Sequence, residues 1–354
     1  LAPLSASQQR FCDACNGAVP SLCDPISSVA NQENHMAIEH AGIRVVDKPW
    51  GSFDLRPWSD IRHDGVAIGE LWFDRADADA PDPALLLKLL FTTEPLSIQV
   101  HPDDSFAHSI GLAHGKTEAW YILSAALGAK VALGLKRQVT APQLRTSIED
   151  GSIADLVVWR GVVKDDVIDV PAGTIHAIGA GLAIAEIQQR SDATFRMFDY
   201  GREREIHIDK AVAVANAGPA ERQSGPKRLT DCRTLLAASP YFVLERTELP
   251  AKSNWELDAR IETWVLVLDG HARIGPMNAF AGEAIFLESE CASIRVGRDG
   301  LKALLAYPRP APIAGLLRRH DAEGESVAER DFAQPSPDRQ IILRPSTSFL
   351  EARA

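Results

Sequence analysis

The chain has 354 residues, 45% of them hydrophobic and 24% charged, enough for two or three domains with a substantial buried core. It contains no stretch of about 18 uninterrupted apolar residues, so no helical membrane span is predicted. A formal net charge of -11 opposes non-specific attachment to nucleic acid or anionic membranes but still allows local cations to line a cleft for an anionic small molecule.

Residues 1–37 show no sustained period of either kind and no basic segment followed by an apolar core. They are expected to be a disordered leader, with Met36 the natural start. The five cysteines, Cys12, Cys15, Cys23, Cys232 and Cys291, are odd in number, and three fall in this leader. No disulfide framework is apparent, and a cytoplasmic location is expected. The Cys12–Cys15 spacing has no second ligand pair at zinc-finger distance and is read as idle.

From residue 38 to 222 the pattern is mostly β, with strands expected at 65–73, 95–101, 118–125, 129–134, 166–170 and 181–189. A helix is predicted near 141–159, where Leu144, Ile148, Ile153, Leu156 and Val157 recur at helical intervals. A short amphipathic helix is expected over 207–218, followed by a linker. A second β-rich unit spans 223–312, its strands read in "YFVLERTEL", "ETWVLVLDGHARIG", "EAIFLESECASIRVG" and "KALLAYP". The Pro- and charge-rich stretch 313–354 is expected to be a loosely ordered tail. Many short strands with polar turns suggest sandwiches or jelly rolls.

The segment "EPLSIQVHPDD" (94–104) alternates, with Leu96, Ile98 and Val100 on one face and Ser97, Gln99 and His101 on the other. A hydroxyl, an amide and an imidazole suit a wet cavity better than open solvent. Glu118 opens "EAWYIL", and His176 lies in "VIDVPAGTIHAIG". Gln99, His101, Glu118 and His176 together make an N/O donor set suited to zinc or another divalent first-row ion. Each residue also has a plainer reading as a hydrogen-bonded structural group. The other histidines are read as loop or surface residues, His114 and His207 included.

Cations accompany this set. Lys88 stands alone in the apolar run "ALLLKLLF", where an ammonium is costly without a counter-charge or ligand. Lys116 is two residues before Glu118, so on a strand the two would face the same way. "EIQQRSDATFRMFDYGR" carries Glu186, Arg190, Arg196 and Arg202; Glu186 and Arg196 share parity unless Ser191–Asp192 breaks the register. Arg190 is expected to be a surface ion-pair partner. Together these groups point to a phosphorylated or otherwise anionic substrate.

"DKPWG", "PLSIQVHPDD", "GKTEAWYIL" and "VPAGTIHAIGAGLAIAEIQQRSDATFRMFDYGR", in that order from about 46 to 202, resemble type I phosphomannose isomerase, also called mannose-6-phosphate isomerase. Weaker similarity continues to about 310. The 57 residues between Glu118 and His176 leave no room for the helical domain of longer members, so the short form is implied. The resemblance implies a mainly β protein of two cupin-type jelly-roll units with a few short helices, the N-terminal one catalytic and the other degenerate. It implies one zinc per chain, held by Gln99, His101, Glu118 and His176, and interconversion of mannose 6-phosphate and fructose 6-phosphate through a cis-enediol. Ser97, Lys88 and Arg202 fall on phosphate-contacting positions, and Arg196, Glu186 and Lys116 on catalytic ones. The family's usual Trp-Gly-Gly reads Trp50-Gly51-Ser52 here. Three other readings stay open: a non-catalytic cupin that binds sugar phosphate, an isomerase of a different sugar, and an iron-dependent cupin oxygenase. The last is disfavoured because Gln99-Val100-His101 replaces the usual pair of histidines.

Overall fold

A computed structural model of the chain describes residues 37–320, Asp64 excepted. The expected leader, with its cysteines and Met36, and the tail beyond His320 lie outside the described residues. The described residues are mainly β with a few short helices, and every strand pairing between named strands is antiparallel. No helix among them is long and apolar enough to cross a membrane.

Six strands form one sheet in the order Gly42–Ser52, Ile68–Asp74, Leu85–Thr92, Leu182–Gln189, Glu118–Ala125 and Val167–Val170. Five form a second: Phe195–Phe198, Ile98–Val100, His176–Ile178, Lys130–Leu135 and Val157–Gly161. Trp50, Leu90, Trp120 and Ile122 of the first sheet share a core with Val131, Leu133 and Ile178 of the second, so the two sheets lie face to face. The strand Leu85–Thr92 is buried along its whole length. That explains why it reads as a continuous apolar run rather than an alternating one. Its outward side chains Leu85, Leu87 and Leu89 pack with Leu244, Trp264 and Leu304 of a third, ten-stranded sheet.

That third sheet takes up nearly all the expected second unit. Its path runs from Ala37–His40 through Ala284–Glu288, Thr263–Ile274, Glu290–Tyr307, Val243–Leu249 and Arg233–Ala238 to Lys227–Arg228. The 18-residue strand Glu290–Tyr307 carries Asn254–Ala259 on its first half and Val243–Leu249 on its second. The sheet thereby wraps around its own core of Trp255, Leu257, Val265, Ile285, Ile294 and Leu305. The first residues of the predicted tail are part of it: Leu317–His320 pairs with Asn254–Ala259, and Leu317 is buried.

Helix Ala141–Glu149 starts where expected, with Thr140 and Gln143 forming a reciprocal capping box. The predicted run to 159 is interrupted at Gly151 (φ +79°), followed by one turn, Ile153–Leu156. From Val157 the chain is a strand. Val157, Val158 and Trp159 are residues that favour a pleated surface, so the helical spacing of Leu156 and Val157 misled at this end. The helix expected at 207–218 is the shorter Ile208–Val214. It and Ala141–Glu149 cover the outer face of the five-stranded sheet, where Ile98 and Val100 are buried. The opposite face of that short strand is thus left to look inward.

Candidate metal centre and its cleft

Register places the polar groups in rows. Across the six-stranded sheet Trp72 pairs with Lys88, Lys88 with Glu186, and Glu186 with Trp120, which puts the four side chains side by side on the inner face. Across the five-stranded sheet Arg196 pairs with Gln99 and Gln99 with His176. Glu186 and Arg196 therefore sit on facing sheets rather than on one strand. The turn at Ser191–Asp192 carries the chain from one sheet to the other, so their shared parity was not what brought them together.

Between the rows lies a cleft of about 450 Å³. Lys88, Ser97, Gln99, Lys116, Glu186 and Arg196 all line it, as do Lys48, Glu70, Thr194, Arg204 and His207. Trp50, Leu90, Leu96 and Ile178 give it an apolar wall. Gly51 backs this wall: a Cβ there would come within 2.5 Å of the Ile68 carbonyl carbon, so only glycine fits. Ser52 is not among the positive-φ residues, which explains why a second glycine is dispensable.

Behind Gln99 and Lys116 of the cleft wall, His101, Glu118 and His176 are buried and converge with their ligand atoms all within 4.8 Å of one another. His101 Nε2 stands 3.6 Å from one Glu118 oxygen and His176 Nε2 3.4 Å from the other. Both imidazoles are held from behind. His101 Nδ1–H donates to the Ala193 carbonyl at 2.7 Å, and His176 Nδ1–H to the Thr174 carbonyl at 2.9 Å. This fixes the tautomer with the Nε2 lone pair turned inward on each ring, as a metal ligand requires. Burial disfavours imidazolium and, together with the Lys116 charge, pushes His101 down to about 3; burial likewise lowers His176. Gln99 stands beside this group, its amide nitrogen 3.2 Å from His176 Nε2 and its carbonyl oxygen accepting from the Ser97 hydroxyl at 2.9 Å. Two neutral imidazoles and a carboxylate fit a divalent zinc-like ion; His101, Glu118 and His176 are the only such group of three among the described residues.

Lys116 links this group to the cleft. Its ammonium lies 2.7 Å from Glu118 and 3.9 Å from Glu186. Burial opposes the Glu118 charge, but the Lys116 ammonium and the His101 and His176 imidazoles together outweigh it and hold the carboxyl well below the usual range. Glu186 goes the other way. Burial, reinforced by the negative charge of Glu118, raises it to about 7 despite Lys116 and Lys88. It also accepts from the Trp120 indole at 3.0 Å. Lys88, 2% exposed, has its expected counter-charges in Glu70 and Glu186, both at 3.5 Å, and lies 4.2 Å above the Trp72 ring. Burial of Glu70 is overcome by Lys48 and Lys88, which hold its carboxyl at about 2.

Arg202 is the exception among the expected site residues. Among the described residues it does not line this cleft; it bonds the Pro95 carbonyl and Asp199 and approaches Glu94. Arg204, which does line it, grips Asp199 through two 2.7 Å bonds. Arg190 is paired with Asp74 at 3.0 Å, an ion pair as expected but a largely buried one rather than one at the surface. Sequence reasoning missed Glu70, Lys48 and His207. Glu70 lies in the strand Ile68–Asp74, whose seven residues are all buried, and the lysine it pairs with stands on the neighbouring strand. His207, dismissed as a loop residue, accepts the Arg196 backbone N–H at 3.0 Å and so braces the arginine strand.

No family model matches the chain. A curated relative, the mannose-6-phosphate isomerase of Streptococcus mutans, is 33% identical over 222 residues, covering 59% of this chain and 70% of the relative. This chain belongs to the mannose-6-phosphate isomerase family. The crystal structure of mannose 6-phosphate isomerase from Bacillus subtilis superposes with a TM-score of 0.65 at 24% identity, covering 75% of this chain and 98% of that one. A zinc-bound mannose 6-phosphate isomerase structure gives a TM-score of 0.60 at 14% identity over 77% of this chain and 99% of its own. At these identities the two structures establish a shared fold, and family membership rests on the sequence relative.

Proposed function

We propose that the protein is a zinc-dependent aldose–ketose isomerase that interconverts mannose 6-phosphate and fructose 6-phosphate. One observation carries the reading: a three-ligand site with its imidazole lone pairs turned inward adjoins, through Lys116, a carboxylate raised to about 7 on the wall of a cleft. That is a metal site beside an acid/base group, an arrangement that binding alone does not need. The family relatives supply the sugar phosphate.

In this reading one zinc per chain is held by Gln99, His101, Glu118 and His176, and when bound it supplies a positive charge that favours negative charge on the sugar oxygens. Lys88 and Ser97 hold the phosphate, using binding energy away from C1 and C2 to orient them. Arg202 reaches the phosphate only by releasing Asp199 and the Pro95 carbonyl, so Lys88 and Ser97 carry that role first. Glu186, as carboxylate, takes the proton from C2 and returns it to C1 of the cis-enediol. Arg196 places a fixed charge near the developing enediolate, and Lys116 holds Glu118 and Glu186 in their ionised geometry. Residues 38–222 are then a catalytic cupin-type jelly roll and 223–312 a degenerate one, except that Ala37–His40 and Leu317–His320 pair into the sheet of the second. The self-enclosed core of the third sheet supports that division. A cytoplasmic enzyme needing no nucleic-acid or membrane partner is part of the same proposal.

The test is turnover of mannose 6-phosphate to fructose 6-phosphate by purified protein, before and after chelation. Activity lost with the metal and regained with zinc is expected. Zinc bound without turnover on an intact fold would favour a different sugar or a binding role. Lys88→Ala should raise KM for the phosphorylated sugar about 10- to 100-fold, the worth of one charge-assisted hydrogen bond, and an unchanged KM would place the phosphate elsewhere.

A further inference from the structure

The metal-site residues come from separate segments, and the chain leading into one of them lies outside any strand. Glu118 is the first residue of its strand, paired there with Gln188 and Val170; Lys116 and Thr117 approach it as irregular chain. Backbone that does not belong to a ladder needs other partners to hold a side chain within a few tenths of an ångström.

One backbone bond, from the Gln189 N–H to the Thr117 carbonyl at 3.2 Å, and two side chains supply them. The Gln189 Oε1 accepts the Thr117 N–H at 3.0 Å, and its Nε2 donates to Asp104 Oδ1 at 2.9 Å. The same Asp104 oxygen accepts the Gly115 N–H at 2.7 Å. The Gly115 backbone packs directly on the loop after His101: a Cβ there would lie 2.4 Å from the Asp103 carbonyl carbon, and the Lys116 N–H donates to the Pro102 carbonyl at 2.9 Å. Gln189 is 5% exposed and ends the strand that carries Glu186. Neither Gln189 nor Asp104 belongs to the ligand set or lines the cleft.

We propose that Gln189 and Asp104 are positioning residues that lock the Lys116–Thr117–Glu118 segment against the His101 loop and so set the spacing of the metal ligands. The inference rests on the zinc-site reading above. One Asp104 oxygen accepts from both Gln189 and Gly115, so Asp104→Asn, which keeps an oxygen there, keeps both bonds. Asp104→Ala removes them, and Gln189→Leu removes the tie to Thr117 as well as the one to Asp104.

The experiment measures zinc affinity by competition with a chelating dye, together with kcat, KM and Tm, for the full chain and its Asp104→Asn, Asp104→Ala and Gln189→Leu variants. Asp104→Ala and Gln189→Leu should each lose about 10- to 100-fold in zinc affinity, with kcat falling more than KM rises. Asp104→Asn should stay within about threefold of the wild type. Disrupting variants that bind zinc like the wild type, or an Asp104→Asn variant as weak as Asp104→Ala, would overturn the proposal. Should one disrupting variant fail to fold, the other decides against Asp104→Asn. A wild-type chain that binds no zinc would remove the site reading and this inference together.

Discussion

Arg196→Ala should lower kcat by about 10²-fold or more while leaving zinc content unchanged and KM altered by less. The guanidinium is directly across from Gln99 on the five-stranded sheet and lines the cleft, yet it is not one of the residues whose ligand atoms converge at the metal centre. It makes one hydrogen bond of its own, to the Glu205 carbonyl at 3.2 Å, and leaves the rest of its fork free to meet charge that develops on substrate. Burial lowers its pKa, but a guanidinium stays protonated at any working pH, so the charge is permanent. A fixed charge in a half-buried wall stabilises an enediolate more than a neutral sugar, which is why the loss belongs in kcat. Arg196→Lys should recover part of it. Near-normal turnover in the alanine variant, with metal content confirmed by elemental analysis, would take Arg196 out of the mechanism.

The residues of this site were legible where one strand displayed them. Ser97, Gln99 and His101 could be read from alternation alone, and Lys88 from its isolation in an apolar run; all four line the cleft or reach the metal centre. What could not be read is which strand lies beside which. The pairings of Lys88 with Glu186 and of Arg196 with Gln99 join residues about 100 positions apart, set by sheet register rather than by any local period. Glu70 and Lys48 were missed for that reason, since Glu70 neutralises a lysine on a neighbouring strand and Lys48 pairs in turn with Glu70. The helix overrun at 157–159 has a local cause. Once Gly151 had broken the helix, spacing continued by chance into residues that fit a strand better.

Glu186→Gln is the sharper test of the chemistry, because it makes two predictions with different readouts. If the carboxylate is the base, kcat should fall by about 10²- to 10⁴-fold, the usual worth of a general base. The wild-type kcat/KM should also lose about a factor of ten per pH unit below the pKa of Glu186, a limb the variant lacks. That pKa is about 7 as the folded side chains alone set it; a divalent ion among His101, Glu118 and His176 favours the charged form, so the limb in the loaded enzyme lies at or below 7. The second readout needs no turnover. An unfolded glutamate titrates near 4.5, so between 4.5 and about 7 the folded metal-free chain holds a proton that the unfolded chain has lost. Its stability must then fall as pH rises through that window. Asp169 and Glu262, each raised by burial to about 6, contribute in the same direction, so the wild-type slope is a sum. The difference between wild type and Glu186→Gln isolates one group: the variant should gain Tm relative to wild type at pH 8 and not at pH 4. An equal Tm difference at both values would mean that Glu186 does not titrate in the fold as its burial requires, and an intact acid limb in the variant would pass the role of base to another group in the cleft.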